Sequence, residues 1–278
     1  MKISLGRTNK LHIARFTPQG AYLDGGPDNG ILMPKRYVTD QMHEGDEVEV
    51  FLYLDAEERL VATTERPLAQ VGDFAWLRVA WVNKYGAFLD WGLMKDLFVP
   101  FREQRQTMEQ GRYYLVYVTV DTETYRIIGS AKVEKYLSHD HAPYSAGDTV
   151  QILIGPRTPL GYKAIVENAW LGMLFADEIF QEVHSGDRLE AFVKQVRSDG
   201  KLDLSLQQTG QTAVTAFANR LLQHIEMHGG FTHLCDSSPA DEIYAVFGVS
   251  KKVFKRAAGD LYKRRLITIE ADGLRLRK

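Results

Sequence analysis

The sequence predicts a mainly β chain in which three small five-stranded barrels stand in tandem, followed by an α+β domain of the winged helix-turn-helix kind. Three observations carry this. One motif recurs three times with constant internal spacing. Short runs rich in β-branched and aromatic residues alternate with turn signals up to about residue 208. From residue 209 onward the apolar spacing changes to that of helices.

The repeat reads Gly20-Ala21-Tyr22-Leu23-Asp24, Gly86-Ala87-Phe88-Leu89-Asp90 and Gly161-Tyr162-Lys163-Ala164-Ile165-Val166. A second glycine follows each first one after 25 residues, at Gly45, Gly111 and Gly186. Between them lie Ile31-Leu32-Met33-Pro34, Leu97-Phe98-Val99-Pro100 and, in the third copy, Met173-Leu174-Phe175. After the second glycine come strand-like runs such as Val48-Glu49-Val50-Phe51-Leu52 and Tyr114-Leu115-Val116-Tyr117-Val118. Each copy closes with a further short strand, and Ser198-Asp199-Gly200-Lys201 marks a tight hairpin. Five strands in such a span fit a partly open Greek-key barrel, the oligonucleotide-binding (OB) fold. The barrels are expected over 1–68, 69–138 and 146–208. Alternation along a strand turns Ala87 and Leu89 inward and Phe88 and Asp90 outward.

The last domain is expected over 211–278. Val214, Phe217, Leu221, Leu222 and Ile225 form one helical stripe, ended by Gly229-Gly230. Ser238-Pro239-Ala240-Asp241-Glu242 opens a second helix, with a hydroxyl to cap it and acids in its first turn, running to Phe247. A third helix is expected from Lys251 to Arg265, with Val253, Phe254, Ala257, Leu261 and Tyr262 facing inward. Leu266-Ile267-Thr268-Ile269 and Leu274-Arg275-Leu276-Arg277, joined at Asp272-Gly273, form the wing.

Composition narrows the function classes. Apolar residues make up 45% and charged residues 25% of 278, ordinary for folded domains, and no run approaches the length of a membrane span. A cytoplasmic protein with no membrane association is expected. The lone Cys235 excludes an internal disulfide and a thiolate zinc site. The net charge of −2 hides a gradient, because residues 210–278 carry 11 basic and 7 acidic side chains and residues 71–140 carry 9 of each. Any attraction for phosphate is therefore local to those segments.

The Gly-Ala-aromatic-Leu-Asp word, the Gly-Asp strand opening and the closing Leu-Ser-Leu resemble the S-one (S1) RNA-binding domain of ribosomal proteins. Three such barrels before a winged helix with Val249-Ser250-Lys251-Lys252-Val253-Phe254-Lys255 and Leu261-Tyr262-Lys263 resemble the bacterial conserved virulence factor B (CvfB-like) family over essentially the whole chain. That resemblance implies RNA binding and post-transcriptional regulation rather than catalysis. The chain departs from the S-one pattern where a histidine of the central Val-His-Ile-Ser word is absent from all three copies, with Pro34 and Pro100 near its place. The aromatic pair is kept best in the second copy, as Tyr85 and Phe88. The first keeps Tyr22 with Gln19, and the third has Lys163 with Leu160, so the third barrel reads as structural.

Single-stranded nucleic acid is held by aromatic faces that stack on bases beside Arg or Lys near the backbone. The expected RNA-binding residues are accordingly Lys84, Tyr85, Phe88 and Arg126 in the second barrel, Tyr22 and Arg59 in the first, and Lys251, Lys252, Lys255 and Arg256 on the third helix. Arg126 is placed by the resemblance, which puts a basic side chain in the last hairpin. The plain alternative is that the aromatics cover barrel ends or a neighbouring barrel, and that the lysines and arginines are solvated. No enzyme is expected. Asp24, Asp90 and Glu167 recur singly on separate barrels, His139-Asp140-His141 lies in a linker, and no phosphate loop or nucleophile elbow is present. No cofactor or metal is implied. The expected partner is single-stranded RNA in preference to DNA. The rival reading is a protein-docking or ribosome-associated scaffold.

Overall fold

The computed structural model describes residues 3–25, 30–179, 181–207, 211–270 and 272–277, with backbone alone for 211–216. Its contacts gather into two compact units, Met1–Ser138 and His139–Lys278. The first unit holds two barrels. Strands β1 (Thr8–Thr17), β2 (Gly20–Leu23), β3 (Ile31–Pro34), β4 (Glu47–Leu54) and β5 (Leu60–Thr63) close in the order β1-β2-β3-β5-β4. Strands β6 (Phe74–Asn83), β7 (Gly86–Asp90), β8 (Leu97–Pro100), β9 (Tyr113–Val120) and β10 (Ile127–Ser130) repeat that topology. In the second unit β11 (Thr149–Thr158), β12 (Gly161–Val166), β13 (Trp170–Phe175), β14 (Arg188–Val196) and β15 (Leu202–Ser205) close the third barrel.

The two recurring glycines have separate physical causes. At Gly20, Gly86 and Gly161 an added Cβ would lie 2.1, 2.3 and 1.9 Å from the carbonyl oxygens of Met33, Val99 and Leu174. Only a residue without a side chain lets the second and third strands approach there. Gly45, Gly111 and Gly186 have φ of +88°, +82° and +100°. Their N–H groups donate to the carbonyls of Ile13, Val79 and Ile154 at 2.8, 2.8 and 2.7 Å, where the first strand of each barrel shifts register. The 25-residue interval thus joins both ends of the barrel to one bulged strand.

Burial follows the alternation. Ala87 and Leu89 are fully buried, whereas Phe88 on the opposite face is half-buried. Strand β4 breaks the rule, since Val50, Phe51, Leu52 and Tyr53 are all buried in sequence. Val50 and Leu52 fill the first barrel, and Phe51 and Tyr53 leave it to enter the core of the second. There Phe51 meets Trp91 edge-on at 5.7 Å. Burying such a ring is worth about 1.5–3 kcal/mol, so this contact binds the two barrels together. Polar bonds add to it. Val71 N–H donates to Gly6 C=O at 2.8 Å, and Lys95 Nζ donates to Leu54 and Asp55 carbonyls at 2.8 and 2.7 Å.

The winged-helix domain comprises α1 (Gln211–Met227), β16 (Phe231–Thr232), α2 (Ala240–Phe247), α3 (Lys251–Lys263), β17 (Ile267–Glu270) and β18 (Gly273–Leu276), with sheet order β16-β18-β17. Phe217, Leu221 and Ile225 of α1 pack with Phe247, Phe254 and Leu261. Val214, expected on the same stripe, lies outside the described side chains. Three sequence expectations are corrected. Ser238 does not cap α2: its hydroxyl accepts from Cys235 N–H at 3.0 Å, inside the preceding turn. Helix α3 ends at Lys263 rather than Arg265, because Arg265 takes φ +59°. Arg265 and Leu266 N–H then return to the Tyr262 and Leu261 carbonyls at 2.9 and 3.0 Å, a Schellman closure that usually employs glycine. Tyr262 is 55% exposed because Phe254, Ala257, Ala258 and Leu261 take the buried stripe and leave it one step around the helix. Strand β16 was not expected, being only two residues long.

Candidate nucleic-acid interface

The outer face of β6, β7 and β8 carries a row of three rings. Asn83 pairs with Gly86 across the two-residue turn Lys84-Tyr85, so Trp81 lies opposite Phe88, and Phe88 opposite Phe98. Trp81 and Phe88 stack at 3.7 Å with planes 4° apart, and Phe98 tilts against Phe88 at 4.9 Å. Cross-strand aromatic pairs of this kind hold a sheet face rigid. Trp81 Nε1–H donates to Asp96 Oδ2 at 2.8 Å, which sets the plane of the indole. Phe88 therefore has one face against Trp81 and the other towards Phe98, and Trp81 is the ring left 42% exposed.

At the tip of the same hairpin Tyr85 is 62% exposed, and Lys84 Nζ lies 5.1 Å from its ring centre. Asn83 Oδ1 accepts the N–H of Tyr85 and of Gly86 at 2.8 and 3.2 Å, so the turn is braced by its own first residue. Lys84 has no ion-pair partner among the described residues. Sequence reasoning placed Lys84, Tyr85 and Phe88 together, as the fold does, but passed over Trp81 and Phe98. The signal was available: counting outward from the turn Lys84-Tyr85 sets Trp81 opposite Phe88.

Beside this row a groove of about 920 Å³ runs between the first and second barrels. Trp81, Phe88, Phe98 and Tyr85 form its aromatic side, and Tyr53, Ala56 and Glu58 of the first barrel its other wall. The β4–β5 loop reaches it because Lys95 holds the loop carbonyls. Burial pushes the Lys95 ammonium below its usual range, partly offset by Asp55 and Glu57. Arg126 also borders the groove, where it is ion-paired with Glu58 from the first barrel. Arg102 pairs with Asp121 and, at 2.9 Å, with Glu123. Burial raises the Asp121 carboxyl, but N–H groups of Thr124 and Glu123 and the Arg102 guanidinium outweigh it and hold it below the usual carboxylate range.

The first barrel offers less. Tyr22 is half-buried, with the Arg15 guanidinium over its ring at 4.3 Å and Leu32 opposite it on β3. Arg59 is committed to Asp55 at 2.7 Å and Glu57 at 2.9 Å. In the third barrel Lys163 and Met173 occupy the pair that is Phe88 and Phe98 in the second. Asp24 and Glu167 act as strand braces, each accepting a first-strand N–H, from His12 at 2.8 Å and Gln151 at 2.7 Å. Among the described residues no group of His, Cys, Asp or Glu is arranged to hold a metal ion.

On α3, Lys251 and Lys255 serve the turn before α2. They donate to Ser238 C=O at 2.8 Å and to Asp236 at 2.9 Å. Lys252 and Arg256 are exposed, and Lys263 extends their line along the helix; none has an ion-pair partner among the described residues. Their spacing of four and seven residues puts them on one face. Ser250 Oγ caps α3 by accepting from Val253 N–H.

Fold and site define a protein of tandem S1-type barrels ending in a winged helix, two modules that point to nucleic-acid binding. Residues 5–65 match the S1 domain family, and residues 219–276 match the CvfB-like winged helix domain. The chain belongs to the conserved virulence factor B-like family. It is 30% identical over 268 residues to the uncharacterized protein YitL of Bacillus subtilis, covering 93% of this chain and 89% of that one. It is 23% identical over 246 residues to conserved virulence factor B of Staphylococcus aureus, covering 86% and 82%. A crystal structure of a multidomain protein with nucleic acid binding domains from Streptococcus pneumoniae is 26% identical over 98% of both chains, with a TM-score of 0.43. No helix among the described residues is long and apolar enough to cross a membrane.

Proposed function

We propose that this protein binds single-stranded RNA and regulates gene expression after transcription, with the second barrel as its principal binding surface. The row Trp81, Phe88 and Phe98, continued by the exposed Tyr85 and by Lys84, which has no ion-pair partner among the described residues, is the observation that carries the reading. Aromatic faces beside a free cation suit a strand whose bases are unstacked and whose phosphates are accessible, at about 1–3 kcal/mol per stacked base. The first barrel contributes Tyr22 and the winged helix contributes Lys252 and Arg256. Short connections between modules raise their effective concentration on one strand. RNA is preferred to DNA because the barrels are of the S1 type. Binding, not catalysis, is the activity.

Fluorescence anisotropy with labelled single-stranded RNA and matched DNA, at several salt concentrations, tests this on the wild type and on Tyr85→Ala/Phe88→Ala. The expected result is RNA binding that weakens steeply with salt and collapses in the double variant. Absence of binding by the wild type at low salt would sink the proposal and favour a protein-docking scaffold.

A further inference from the structure

The Trp81–Asp96 pair does more than the general stacking surface requires. Trp81 is the ring of the row with an open face, because Phe88 lies flat against its other side at 3.7 Å. One carboxylate oxygen of Asp96 accepts the indole N–H at 2.8 Å. The other has no hydrogen-bond donor among the described residues, and the half-buried Asp96 borders the same groove as Trp81. A carboxylate in that state is a pure acceptor, beside the plane where a stacked base would rest.

Resting on the RNA reading above, we propose that Trp81 and Asp96 form a base-reading site, in which one base stacks on the open indole face and donates an exocyclic amino hydrogen to the free Asp96 oxygen. The ligand class follows from hydrogen-bond polarity. Cytosine N4 and adenine N6 are donors, whereas uracil presents the O4 acceptor at the corresponding edge and meets the carboxylate with like polarity. Asp96 thus both orients the platform and selects the base. The groove of about 920 Å³ has room for the base and its sugar.

The full-length protein is titrated by fluorescence anisotropy with labelled rC and rU hexamers, which differ in the base edge at equal size. Wild type is expected to favour rC by about ten-fold, the worth of one hydrogen bond to a charged acceptor. Asp96→Asn keeps an oxygen for the indole and turns a donor amide to the base, so the preference should shift to rU. Trp81→Phe should retain stacking but loosen the discrimination, and Trp81→Ala should weaken both hexamers together. Equal rC and rU affinities in wild type, with binding still lost in Tyr85→Ala/Phe88→Ala, would overturn the base-reading site and leave the RNA reading intact. An rC preference unchanged in Asp96→Asn would overturn it equally. Failure of wild type to bind either hexamer at low salt counts against the RNA reading itself.

Discussion

Arg126 reaches the groove already engaged, and releasing it should strengthen RNA binding. Its partner Glu58 comes from the first barrel, and both side chains are about half-exposed, at 53% and 49%. An exposed pair of this kind is worth about 0–1 kcal/mol, so Glu58→Gln should leave the fold nearly as stable as before. The substitution removes a negative charge from the groove wall and frees one guanidinium for a phosphate. For single strands each phosphate contact adds about 0.7 to the slope of log affinity against log salt. At about 0.1 M salt that amounts to roughly five-fold tighter binding, vanishing towards 1 M. Anisotropy titrations at four salt concentrations measure slope and Kd together, and a double-mutant cycle with Arg126→Gln isolates the pair. The reasoning is refuted if Glu58→Gln leaves the slope unchanged, or if the gain persists in Glu58→Gln/Arg126→Gln.

Further expectations concern stability. Gly86→Ala places a Cβ 2.3 Å from the Val99 carbonyl oxygen, so it should destabilise the second barrel by about 2 kcal/mol or more, whereas Gly259→Ala, with nothing within 4 Å, should stabilise α3 by up to about 1 kcal/mol; thermal melts distinguish them. Asp121 is held below its ordinary 3.8, so its stabilisation is complete above that value and is lost as pH falls through the folded-state pKa. Asp121→Asn should cost about 1–3 kcal/mol at neutral pH and make the acid limb of denaturant unfolding shallower. Burial depresses His224 below 6.5, aided by His228 and His233, and the ring stacks on His228 at 4.0 Å and meets Phe247 at 4.8 Å. The unfolded state therefore binds its proton first, and the winged helix should lose stability as pH falls from about 7 towards 5, a dependence that His224→Gln flattens in pH-resolved melts.

The barrels and the winged helix were legible because their determinants are local. A glycine that must admit a neighbouring carbonyl, another at positive φ, and strands of period two leave a repeat that can be counted. The inward aim of Ala87 and Leu89 follows from alternation, as does the outward aim of Phe88. Trp81 could have been placed by the same counting. The end of α3 could not, since Arg265 adopts a conformation for which glycine is the usual sign, and neither could the role of Ser238, whose hydroxyl had a local rival in Cys235 N–H.

Pairings between distant residues were decided by tertiary structure. The sequence determined by itself that each barrel would form and that one face of the second would be aromatic and partly cationic. It did not determine that Phe51 and Tyr53 would leave their own barrel for the neighbouring core, that Arg126 would be held by Glu58, or that Asp96 would orient Trp81. Backbone geometry is set by the few residues that surround each φ and ψ. The state of a charge or a ring depends on which side chains converge from far along the chain, and that convergence exists only once the barrels have closed and docked.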